Sequence, residues 1–338
     1  MKPNSEINIF RNKKEFYTPE YPWALELIDQ QNSVFWRFDE TNIDADIHDL
    51  KTALTEAELN GIKEALRLFT LYETEIGNDY WTGVVRKVFG HPELKMLAAT
   101  NSSTETLHAR AYNEINRVLG LDTEEFYTSY KQDEVLSQRM KFIEDACSIP
   151  KDYNALDVLK SIGTFLFIEG SVLYSSFAFI KHFSSNGKNL LKNINSAITY
   201  SIRDEGNFHV TSGELLFKTL KQEAELTKEE LIILNEHLIK IAYKTFEHEE
   251  KIMDKLFAFG KISGITENQM KIFIRSRINE CLKCLEIVPI FEFEKYNPIE
   301  DWFYSNITTL KLSDFFHSKS AQYSRKWKKH KFTWSINE

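Results

Sequence analysis

Apolar residues recur every three or four positions along most of this chain, the spacing that draws a continuous stripe down one face of an α-helix. Four stripes matter most. The first is Ile62, Leu66, Phe69, Glu73, Ile76, Tyr80, Val84, and the second is Leu94, Leu97, Asn101, Glu105, His108, Tyr112, Ile115, Leu119. The third is Ile162, Phe165, Glu169, Val172, Ser176, Phe179, and the fourth is Ile194, Ile198, Ile202, Glu205, His209, Ser212, Leu216. Helix starts are marked where a Thr is followed three residues later by Glu or Gln, which cap each other's N–H groups: Thr55/Glu58, Thr227/Glu230 and Thr266/Gln269. No Gly/Ser/Pro-rich linker interrupts the stretch from Tyr21 to Trp302. The pattern therefore predicts a single all-α domain over 21–312, behind an N-terminal arm over 1–20. From Leu312 the periodicity fades into Asp314-Phe315-Phe316 and a polar, basic run ending at Lys331, so 313–338 is expected to be a flexible tail.

Each stripe carries a carboxylate where an apolar residue belongs. Burying one ionised carboxylate without a partner costs several kcal/mol or shifts its pKa until it neutralises. Four of them on four helices need positive charge between them. Two divalent cations supply it, and the imidazoles of His108 and His209 complete a ligand set of oxygen and nitrogen donors that suits iron or manganese. One Glu from each of two helices and a Glu/His pair from each of the other two is similar to the ligand set of ferritin-like di-iron bundles. The singles are Glu73 and Glu169; the pairs are Glu105/His108 and Glu205/His209. Taken alone, each has a bland reading as a solvated Glu or a satisfied core His. The order single, pair, single, pair, each inside an apolar stripe, is what makes the signal. Glu75 is an alternative first ligand, on a different face. The second pair is spaced by four rather than three, and a π-bulge at Gly206 would reconcile the two spacings.

Composition narrows the picture. Only 12 Gly and 7 Pro among 338 residues favour long helices. A net charge of −8 gives no general footprint for nucleic acid or an anionic membrane. No apolar run approaches the roughly 20 residues of a membrane span, and Met1 to Tyr17 has no signal-peptide core. Cys147, Cys281 and Cys284 are too few for a disulfide scaffold, which makes a reducing cytoplasm the default. Cys281 and Cys284 read as two helix thiols, and Glu247-His248-Glu249-Glu250 as a solvated charge run.

Glu105-Thr-Leu-His108-Ala-Arg-Ala-Tyr112 resembles the Glu-x-x-His-x-x-x-Tyr motif of the class I ribonucleotide reductase small subunits. Arg203-Asp204-Glu205 with His209 resembles that family's second motif, where Glu and His are normally three apart. The likeness extends to Tyr21-Pro22-Trp23 and Phe35-Trp36-Arg37 near the start, and to Asn297-Pro298, Asp314-Phe315-Phe316 and Gln322-Tyr323-Ser324-Arg325 near the end.

The resemblance implies a ferritin-like helical bundle in which a pair of iron ions, with manganese or a mixed pair left open, uses O2 to oxidise Tyr112 to a radical. Leu173, Phe177 and Ile202 are candidates for its dry surroundings; an ordinary core tyrosine is the other reading. Trp36, Asp204 and His209 resemble the family's relay, in which the metal-bound His bonds Asp and Asp bonds Trp. Tyr323 matches the tyrosine that hands the oxidising equivalent to a large subunit, on which the Phe332 to Glu338 peptide would dock. The large subunit then reduces ribonucleotides to deoxyribonucleotides, and the small subunit works as a homodimer. The competing readings are a stand-alone di-metal oxidase or oxygenase of the same fold, and a storage or scaffold protein.

Overall fold

The computed structural model describes residues 1–13, 18–293 and 296–304. The expected tail and Tyr323 lie outside the described residues. Among those residues there is helix and no strand.

Helix α1 spans Pro22–Ser33 and α2 spans Glu56–Leu66. Helix α3 starts as Phe69–Glu75, widens into a π-helical stretch over Ile76–Val85 and closes with Arg86–Val88. Next come α4, Pro92–Val118; α5, Glu134–Ala146; α6, Ala155–Ser171; and α7, Tyr174–Ser185. Helix α8, Lys192–Asp204, runs through a π turn, Glu205–His209, into α9, Val210–Ala224. Two long outer helices follow, α10 over Lys228–Phe257 and α11 over Glu267–Cys284, and then the short α12, Pro298–Phe303.

The capping pairs at Thr55, Thr227 and Thr266 all form, and Asn154 with Asp157 makes a fourth at the start of α6. The bundle that positions the site consists of α3 against α4 and α6 against α9, with α1 on α4 and α10 on α6. The first residues are tied down as well: Ile7 and Ile9 are fully buried, and the Ile9 N–H donates to Glu223 Oε2 at 2.7 Å.

Periodicity misled in two places. The first stripe breaks between Leu66 and Phe69, and the third breaks at Val172-Leu173, where Leu173 has φ 76°. A non-glycine residue there costs on the order of 1–3 kcal/mol. Apolar side chains on both sides of each break face the same core, so the stripe carries on while the backbone turns. By length and composition, Ala155–Ser185 qualifies as a membrane span, against the expectation of no such run; its qualifying window is wholly buried inside the molecule. The 247–250 run is also corrected: Glu249 is buried, its carboxylate paired with Arg139.

Candidate metal centre

Helices α3, α4, α6 and the π turn after α8 bring Glu73, Glu105, His108, Glu169, Glu205 and His209 into one cluster, none of them more than 4% exposed. The cluster has two halves. Glu73, Glu105, His108 and Glu205 offer ligand atoms within 4.8 Å of one another, and so do Glu105, Glu169, Glu205 and His209. Glu105 and Glu205 are shared, so they sit where they would bridge two ions. His108 Nδ1 lies 2.9 Å from Glu205 Oε1 and 3.6 Å from Glu73 Oε2. His209 Nδ1 lies 2.8 Å from Glu105 Oε1 and 3.7 Å from Glu169 Oε1.

The π turn explains the four-residue pair. An i→i+5 hydrogen-bond pattern holds one more residue per turn, so a side chain four positions on returns to the azimuth that three positions give in an α-helix. Gly77, on α3, lets the opposite wall close in. A Cβ there would stand 3.0 Å from Glu105 Cβ. Of the two candidate carboxylates of α3, Glu73 is the one in the cluster; Glu75 is half-buried near Asp79 and Glu144, outside it.

Most of the donors converge without satisfying one another; the exception is His209 Nδ1 and Glu205 Oε2, 2.9 Å apart. Glu73 Oε1, both oxygens of Glu105, His108 Nδ1 and Glu205 Oε1 are buried and make no aligned hydrogen bond. Buried polar groups are nearly always paired, so this set fits a ligand of positive charge. Burial and the adjoining carboxylates push Glu73 and Glu169 well above the usual carboxylate range. Burial alone would lower His108 and His209, yet surrounding carboxylates raise both well above the usual imidazole range. Burial likewise opposes charge on Glu105 and Glu205, but His209 and neighbouring donors hold them below theirs. With no cation present, these shifts favour the protonated forms of Glu73, Glu169, His108 and His209. The residues present fit two divalent ions held by the four carboxylates and two imidazoles.

Behind the ligands, the structure corrects one expectation. Asp204 Oδ2 faces His108 Nε2 at 3.2 Å and accepts from Trp36 Nε1 at 2.8 Å; it does not pair with His209. Adjacency in sequence pointed to His209, but consecutive residues on a helix face different sides, and Asp204 turns towards α4 while Glu205 turns inward. His209 instead has the Gln31 amide of α1, 3.3 Å from its Nε2, and Gln31 is itself anchored on Thr104 Oγ1 at 2.9 Å. Trp81 Nε1 donates to Glu169 Oε1 at 3.2 Å. Neither Gln31 nor Trp81 carried a sequence signal beyond lying in an apolar helix.

Tyr112 is fully buried, with its ring centroid 6.5 Å from that of His108 and 4.8 Å from that of Phe69. Its hydroxyl pairs with Ser201 Oγ, a partner the sequence did not reveal. Burial, then the Glu73 charge, raises its pKa well above the usual phenol range. Phe177 packs edge-on against Phe69, the ring that lies against Tyr112, and Leu173 and Ile202 are buried.

Comparison with known proteins finds relatives along most of the chain. The chain is 25% identical to the probable ribonucleoside-diphosphate reductase small subunit of Invertebrate iridescent virus 3, over 95% of this chain and 86% of that protein. It is also 25% identical to the ribonucleoside-diphosphate reductase subunit beta of Treponema pallidum, over 93% and 88%. Its fold matches the dimanganese(II)-NrdF of Streptococcus sanguinis with a TM-score of 0.72 at 21% identity, over 86% of this chain and 98% of that one. The ribonucleotide reductase R2 subunit from Clostridium botulinum matches with a TM-score of 0.74 at 21% identity, over 88% and 91%. The family model for the ribonucleotide reductase small chain covers residues 13–298, and the chain belongs to that family.

Proposed function

We propose that this chain is the radical-generating small subunit of a ribonucleoside-diphosphate reductase and that Tyr112 carries the radical. Glu73, Glu105, Glu169, Glu205, His108 and His209 would hold two iron ions, with manganese or a mixed pair as alternative fillings; the Streptococcus relative is described as dimanganese. When bound, such a pair would supply, with O2 as the oxidant, the chemistry for taking one electron and one proton from the Tyr112 phenol, both passing to the oxygen that is reduced. The chain does the rest. Ser201 takes up the phenol's hydrogen bond, and the surrounding apolar wall keeps out water that would quench the oxidised ring.

Trp36, Asp204 and His108 form a continuous hydrogen-bonded path outward from the cluster. It ends beside Phe35, which is 67% exposed, and this supports transfer towards a partner. Tyr323 would continue that path, and the tail would dock on a large subunit that binds and reduces the ribonucleotide. The working form would be a homodimer. Its three free cysteines suit the reducing cytoplasm in which it is expected to act.

The observation that carries this reading is a fully buried tyrosine beside a ligand imidazole. The test is electron paramagnetic resonance on protein loaded anaerobically with ferrous iron and then given oxygen. A tyrosyl signal in the parent, absent from Tyr112→Phe at equal metal content, is the expected result. Full loading with iron, and then with manganese and iron together, without any radical would sink it.

A further inference from the structure

A cavity of about 460 Å³ opens on the outer face between α3 and α4, and its floor is Glu73. Thr70, Asn78, Thr106, Asn113 and Glu114 line it, so its wall is rich in oxygen atoms. Two of the molecule's buried polar atoms without a hydrogen-bond partner, Glu73 Oε1 and Thr70 Oγ1, belong to this wall. The Arg110 guanidinium, the one cation of the lining, is drawn aside over the Phe38 ring, 4.2 Å from its centroid. Glu114 is tied to Arg117 at 2.7 Å, which leaves Glu73 as the carboxyl group of the lining without a protein cation.

Hard oxygen donors suit a divalent cation shedding water; a neutral gas would not need them. We propose that divalent cations reach the cluster through this cavity, with Glu73 as the first ligand they meet. The inference rests on the two-metal reading above. Thr70 and Glu73 replace part of the ion's hydration as it passes inward to the His108 side. Gly77 keeps the inner end narrow by holding α3 against Glu105.

The test uses the full chain and Mn2+ under anaerobic conditions, with free Mn2+ followed by rapid-freeze paramagnetic resonance and release followed with a chelator. Thr106→Trp places a plug at the exposed rim. Binding and release are expected to slow by the same factor, at least tenfold, while two ions still bind with affinity within twofold of the parent. A door changes both rates alike; a damaged ligand set changes affinity. Asn78→Lys, a second rim variant, is expected to slow binding several-fold, less so as salt is raised. Rates within twofold of the parent for Thr106→Trp overturn the route. So does a loss of affinity in Thr106→Trp with Asn78→Lys unchanged. A parent that binds no Mn2+ or Fe2+ overturns the two-metal reading itself, which is a separate failure.

Discussion

Two regions of this molecule bury charge, and they do it in opposite ways. Between α5, α7 and α10, Arg139 and Glu249 form an ion pair, each at most 1% exposed. The other Glu249 oxygen accepts from the Ser175 N–H and hydroxyl, and Arg139 Nε donates to Tyr72 Oη at 3.2 Å. That region carries its own cation, and both Glu249 oxygens are used. Among the described residues the ion pairs of the four cluster carboxylates run only to His108 and His209, and five donor and acceptor atoms are left unpartnered. Burial of a carboxylate is therefore not the mark of a metal site. The mark is burial without a protein cation.

The largest expected effect tests that contrast by its sign. Glu249→Ala strands Arg139 and is expected to cost about 3–5 kcal/mol in denaturant unfolding. Glu73→Gln removes a carboxyl that burial already favours as neutral. It should leave metal-free stability within about 1 kcal/mol while one ion fails to bind. Equal losses from both variants would end the distinction.

Within the cluster the halves also differ, since a carboxylate backs His108 and a neutral amide backs His209. A carboxylate raises the basicity of the imidazole in front of it, so Asp204→Asn is expected to weaken one ion by about 10–100-fold. Gln31→Leu should weaken the other by less, both read by Mn2+ titration. The reverse order would mean that the amide, not the carboxylate, dominates.

The pH response sharpens the same point. His108 and His209 are raised in the folded protein, so their stabilisation is complete below the ordinary imidazole value of 6.5 and is lost as pH rises through their folded values. Glu73 and Glu169, also raised, likewise lose stability as pH rises above 4.5. Metal-free protein should therefore melt at lower temperature at pH 9 than at pH 6.5. Loaded protein should lose that slope, because ions replace the protons. His248 and His182 are pushed down, to about 3 and about 4, by burial first and with neighbouring cations adding to it, the reverse of the two cluster imidazoles. The smallest effect is Gly206→Ala. Its Cβ would meet only Tyr174 Oη at 3.6 Å, so metal binding should persist with stability changed by less than about 1 kcal/mol.

The candidate ligands were legible in the sequence because a charge inside an apolar stripe violates the pattern that drives folding. All six of those residues converge. The partners behind them were not legible. Ser201, Gln31 and Trp81 violate nothing, and their roles depend on how helices far apart in the chain are rotated against each other. Asp204 shows the same limit, since its place in sequence suggested one histidine and its azimuth chose the other. Helix ends at Leu66 and Ser171 were hidden because burial continues where the backbone does not. The π turn at Glu205–His209 was foreshadowed by spacing, whereas the longer one at Ile76–Val85 left no such trace.

The π turn has a consequence for how such a site is recognised in a sequence. An extra residue absorbed inside one turn leaves the helix before and after it on the same course, so an insertion between Glu205 and His209 disturbs neither ligand. Deleting Asn207 would restore the three-residue spacing usual in the family. A turn of this kind tolerates a change of one residue in spacing, so a search for these side chains built on a fixed gap would pass over a chain that brings them together as this one does.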